Sequence, residues 1–134
     1  MRTFHHVCIQ TDTYEASKNF YTRILEFKVV HEKALFHGRA FNTWLKQGEF
    51  MIELQTPKAG EILKKWSPQN GGPVHLGFLV EDAHREYERI KSLGYTDFKV
   101  KDGKEFYAVC GKGLFKVKAP EGTEIEFRDT EINK

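Results

Sequence analysis

Two stretches of this chain are built alike, and their likeness restricts the fold more than any other feature. His6 opens an apolar run that ends at Asp12, just ahead of a helical pattern, and His75 opens another that ends at Asp82, ahead of a second one. His75 lies 69 positions after His6, about half the 134-residue chain, so the sequence reads as two similar halves, each contributing a histidine. At this length both halves fit one fold unit, a single domain over 1–134.

Residues 4–11 are dense in β-branched and aromatic side chains and read as a strand. Asp12 and Glu15 have capping-box spacing, and Ala16, Phe20 and Ile24, widened by Tyr21 and Leu25, predict a helix over about 13–25. Strands follow at 27–32, 39–46 and 50–55, separated by turn material at His37-Gly38 and Gln47-Gly48. This gives a first βαβββ module over about 1–56.

Residues 57–72 hold Pro57, Gly60, Pro68, Gly71 and Gly72 and read as a connector, with Ile62, Leu63 and Trp66 available for a turn of helix. Residues 74–80 form the next strand, Asp82 is a candidate cap, and Ala83, Tyr87 and Ile90 make a helical stripe that Gly94 stops. Strand material follows at 98–101, at 105–118 as one long strand bent at Gly111 and Gly113, and at 124–128. The second βαβββ module spans about 73–130, and the fold class is α+β.

Charge and cysteine usage narrow the function. The net charge is only +2, with lysines scattered among glutamates, so a small-molecule partner is expected and nucleic acid is not. No apolar run approaches the roughly 20 residues that span a bilayer, and the N-terminus has no apolar signal core. Cys8 and Cys110 are too few for a disulfide framework and read as reduced thiols, Cys8 as a small buried one. A cytoplasmic location is the expectation.

Strand parity sorts the polar side chains. Val7 and Ile9 share one face of the first strand, leaving His6, Cys8 and Gln10 on the other; Ile52 and Leu54 oppose Met51, Glu53 and Gln55; Ile125 and Phe127 oppose Glu124, Glu126 and Arg128. His75 shares its face with Gly77 and Leu79. Each of these four strands thus carries a metal-capable residue on the side away from its helix. Arg128, Lys116, Tyr107, Phe41 and Trp44 stand nearby on strands, where ordinary packing explains them, and receive no role; His31, His37 and His84 are read as surface residues.

Taken in order, Phe-His-His-Val-Cys-Ile with Asp12 and Phe20-Tyr21, then Met-Ile-Glu-Leu, then Pro-Val-His-Leu-Gly-Phe-Leu-Val-Glu-Asp, then Pro120-Glu-Gly-Thr-Glu-Ile-Glu-Phe127 resemble the glyoxalase, bleomycin-resistance and ring-cleaving dioxygenase superfamily, the vicinal oxygen chelate proteins, across the whole chain. The resemblance implies two βαβββ modules whose curved sheets make a cup around one metal, often in a homodimer. The ligands it implies are His6, Glu53, His75 and Glu126, a two-histidine, two-glutamate set most similar to that of glyoxalase I. Nickel, zinc, cobalt, manganese and iron all suit such donors.

The activity implied is lyase or isomerase chemistry on a small molecule with vicinal oxygens, with Glu126 or Glu53 carrying a proton between carbons. Gln10 stands where glyoxalase I has an arginine, and Pro57 where it often has an asparagine, so the resemblance does not extend to the glutathione-contacting positions. Two other activities occur among such proteins: non-catalytic drug or small-molecule binding, and ring cleavage at iron. Ring-cleaving members use two histidines and one carboxylate, a set that Glu53 exceeds.

Overall fold

The computed structural model describes residues 1–134, which divide into two compact units, Met1–Lys65 and Trp66–Lys134. Unit 1 contains β1 (His6–Gln10), α1 (Tyr14–Asn19) continued by a π-helical segment (Phe20–Ile24), β2 (Lys28–Phe36), β3 (Arg39–Gln47) and β4 (Phe50–Gln55). Its sheet has the order β1-β4-β3-β2, with β1 parallel to β4 and the other pairs antiparallel. Unit 2 contains β5 (His75–Leu79), α2 (Ala83–Ser92), β6 (Phe106–Val109), β7 (Lys112–Lys118) and β8 (Glu124–Arg128), in the matching order β5-β8-β7-β6, with β5 parallel to β8. Both units are therefore βαβββ modules. No helix is long and apolar enough to cross a membrane.

In unit 1 the sheet buries Ile9, Leu45, Ile52 and Leu54 under Phe20, Tyr21, Ile24 and Leu25, all at most 7% exposed. Each such side chain stabilises the fold by about 1.5–3 kcal/mol through loss of water contact. The helix starts without the expected capping box: its N-cap is Thr13, whose side chain makes no cap bond. Instead Thr11, buried at the end of β1, accepts from the Thr13 N–H at 3.0 Å and pairs with the Ser17 hydroxyl at 2.7 Å.

The buried stripe also differs from the one read in sequence. Ala16 is exposed, while Tyr14 and Ser17 join Phe20, Tyr21 and Ile24 inside. The i→i+5 bond from the Leu25 N–H to the Phe20 carbonyl widens the last turn, so consecutive residues Phe20 and Tyr21 are both buried.

In unit 2, α2 is capped as expected. Asp82 accepts from the Arg85 N–H at 3.0 Å, Ala83, Tyr87 and Ile90 are buried, and Gly94 follows the helix at φ +83°. The long strand expected over 105–118 is instead a hairpin. Cys110 and Gly111 both have positive φ, 52° and 75°, which forms a tight two-residue turn between β6 and β7 rather than a bend.

Residues 98–101 form only isolated bridges, Phe98 with Val117 and Lys101 with Lys104. The stretch 57–72 contains no helix, and Ile62 is 94% exposed. Asp129 fixes the helix to the hairpin, accepting from the Gly113 N–H at 2.8 Å and the Ala83 N–H at 3.1 Å.

Candidate functional site

Within each unit the structure brings one histidine and one glutamate together, in the same register. In the β1–β4 pair Cys8 is opposite Glu53, so the glutamate lies across from the residue two after His6. In the β5–β8 pair Gly77 is opposite Glu126, again two after the histidine, His75. The His6 Nε2 to Glu53 Oε1 distance is 3.5 Å and the His75 Nε2 to Glu126 Oε1 distance is 3.6 Å.

These gaps are too long for good hydrogen bonds. They are close to the separation of two donors that share one ion at about 2.1 Å, roughly 3 to 3.5 Å. Imidazole nitrogen and carboxylate oxygen are suitable donors, so each pair fits part of a divalent metal site. No three metal-capable side chains gather within either unit.

The surroundings of the two pairs differ. In unit 1 the Asn42 amide, buried on β3, donates to Glu53 Oε2 at 2.8 Å, leaving Oε1 turned towards His6. The His6 ring packs edge-on against Trp44 at 4.7 Å between centroids, and its Nδ1 is 2.8 Å from Nδ1 of His5. When His6 Nδ1 carries the proton in that bond, Nε2 keeps a free lone pair for a ligand.

Cys8 is exposed, not buried as the sequence suggested. Its thiol nevertheless lies over the sheet, where partial loss of hydration and then the neighbouring Glu53 carboxylate push its pKa up to about 11. It is a neutral thiol near pH 7. Arg39 spans the end of this face, donating to Gln10 Oε1 at 2.9 Å and to the Thr56 carbonyl at 2.8 Å.

In unit 2 Glu126 is buried, and cations rather than an amide flank it: Lys116 Nζ lies 3.9 Å from Oε1 and Arg128 Nε 3.8 Å from Oε2. Glu124, on the same face, is occupied by Lys99 at 2.9 Å. Gly77 leaves room beside Glu126, since a Cβ there would stand 3.8 Å from Oε2.

Sequence reading missed Asn42, which has the parity of Trp44 and becomes visible only once β3 is registered against β4. Phe41 takes the opposite parity and stacks on Tyr14 at 4.3 Å, on the helix side. His84 is a surface residue, as expected, with the Phe106 ring at 5.1 Å and Glu88 at 3.8 Å.

Residues 3–127 match the sequence profile described as the Glyoxalase/Bleomycin resistance protein/Dioxygenase superfamily. The chain is 31% identical over 94 residues to biphenyl-2,3-diol 1,2-dioxygenase 2 of Rhodococcus globerulus; the match covers 68% of this chain and 46% of that protein, so the chain spans about half its length.

Among solved structures, the trypanothione-dependent glyoxalase I of Leishmania major superposes with a TM-score of 0.71 at 19% identity, covering 96% of this chain and 87% of that one. The lactoylglutathione lyase of Agrobacterium tumefaciens superposes at 0.66 with 16% identity, covering 95% and 92% respectively. At these identities the two likenesses concern the fold.

Proposed function

Because the chain belongs to the Glyoxalase/Bleomycin resistance protein/Dioxygenase superfamily, we propose that it is a metal-dependent enzyme of the lyase or isomerase type, moving a proton on a small molecule with vicinal oxygens. The observation that carries this reading is the repeated histidine–glutamate register, His6 with Glu53 and His75 with Glu126. In this proposal those four side chains are the ligands of one divalent ion, supplied by one chain or by two chains of a homodimer. When bound, such an ion polarises a carbonyl and acidifies the adjacent C–H.

The chain's own groups divide the remaining work. Asn42 clamps Glu53 Oε2, so this carboxylate is held as a fixed donor through Oε1. Glu126 accepts no hydrogen bond from an amide, and its Oε1 is the stronger candidate to take the proton as base and return it as acid, with Glu53 second. The proposed reaction class does not extend to a glutathione adduct, because Gln10 and Pro57 occupy the positions discussed above.

The test is solvent-proton exchange. Metal-loaded protein, incubated in deuterium oxide with a panel of small α-hydroxycarbonyl compounds, is expected to label the carbon next to the carbonyl of one of them, and Glu126→Gln to slow labelling by about 10²-fold or more. Equal labelling by the variant would remove Glu126 from the role. The 31% identity to a biphenyl-diol dioxygenase supports a second reading, iron-dependent ring cleavage. Oxygen uptake with a catechol, in place of proton exchange, would favour it.

A further inference from the structure

Lys116 and Arg128 leave a charge unaccounted for. Lys116 is the cross-strand partner of Glu126, and Arg128 follows two residues later on the same face of β8. Their side chains are only 16% and 17% exposed, yet one carboxylate, Glu126, serves both, at 3.9 and 3.8 Å. Those separations exceed hydrogen-bond length.

Glu124 is already paired with Lys99, and the partner of Arg128 Nη2 is the uncharged Asn133 side chain. Arg128 Nε is buried with no acceptor. Two cations and one carboxylate in a largely dehydrated place leave about one positive charge uncompensated, an arrangement that costs free energy unless an anion completes it. If Glu126 binds an ion, as proposed above, it neutralises these cations still less.

We infer that Lys116 and Arg128 form a subsite for the carboxylate of a small, singly charged organic acid, one oxygen accepting from the Arg128 guanidinium and the other from Lys116 Nζ. This names the substrate class of the proposed site and rests on that reading. A single surplus charge matches a carboxylate rather than a phosphate dianion. Both cations stand on paired strands, which holds them in fixed positions.

The cross-strand partners of Arg128 are apolar, Leu114 on β7 and Leu79 on β5, and Tyr107 lies opposite Leu114 on β6. Leu79, 58% exposed, offers a surface for the carbon part of such a molecule.

The test uses sodium propionate on metal-free protein, where it has no ion to coordinate, with propionamide as its neutral counterpart and inorganic phosphate as the competing anion. Binding to the full chain is followed by heteronuclear NMR titration. Propionate is expected to bind the wild-type protein and to bind about tenfold more weakly to Lys116→Met and Arg128→Gln, with Lys116→Arg keeping most of the affinity, as loss of a charge-assisted hydrogen bond predicts.

Equal propionate affinity in the wild-type and both neutral variants would overturn the subsite. So would propionamide binding as well as propionate, and tighter binding of phosphate would overturn the carboxylate assignment. Melting temperatures of the variants within a few degrees of wild type, as expected for substitutions at the rim of a core, show that a lost affinity is not a lost fold. Failure of proton exchange with this charge dependence intact would reject the catalytic reading alone.

Discussion

Asn42 shows what a single amide does to a carboxylate pair. By donating to Glu53 Oε2 at 2.8 Å from a buried position, it fixes the rotamer that turns Oε1 to His6. Asn42→Ala removes that donor without touching the proposed ligands, and losses of this kind typically lower metal affinity by about 10–100-fold. Competition with a chelating dye measures it; unchanged affinity would show that Glu53 is held by its strand alone. Parity was enough to place Ile52 and Leu54 in the core and Glu53 on the other face, because alternation is a local property of a strand. It was not enough for Asn42, whose partner is set by the β3–β4 register, or for Cys8, whose neighbour Glu53 lies across a parallel pair 45 positions away.

At the scale of elements, α2 and β6 differ in how locally they are encoded. Asp82, the Ala83–Tyr87–Ile90 stripe and Gly94 lie within one short stretch and encode the helix locally. The β6–β7 hairpin depends on Cys110 accepting φ +52°, a conformation uncommon for a residue with a Cβ, so Gly111 alone read as a bend. Gly113 has a different reason to be glycine: a Cβ there would meet Phe106 Cζ at 2.7 Å, with Asp129 Oδ2 at 3.1 Å.

The tie between α2 and the segment before β6 is testable through pH. The Tyr87 hydroxyl donates to Glu105 Oε1 at 2.6 Å, and this bond to a carboxylate, reinforced by burial, pushes the phenol from 10.0 to about 12. Because the folded value is raised, its stabilisation is fully present below pH 10 and is lost as pH rises through about 12. Tyr87→Phe should lower stability by about 1 kcal/mol at pH 7. The gap to wild type should close between pH 10 and 12, as read from denaturant midpoints at each pH. A gap constant over that range would mean that Glu105 is not the cause.

For the whole molecule, the question is why the pattern occurs twice. A histidine and a glutamate supply two donors, whereas protein sites for such ions usually have three or four protein ligands. His6 with Glu53 and His75 with Glu126 each supply two, so under the proposed function the register repeated in the two βαβββ units would supply four. This makes metal content a measurement on the whole chain.

If the two pairs serve one ion, the wild-type protein should carry one divalent ion per chain, and His6→Ala and His75→Ala should each lose nearly all of it, although the substitutions lie in different units. If each pair bound its own ion, the wild type would approach two per chain and each variant would keep half. Elemental analysis of the three proteins separates these outcomes. Mixing the two variants adds a further distinction: recovery of part of the metal on mixing would mean that the pairs are contributed by different chains of a homodimer, since only then does a mixed assembly restore one intact set of four.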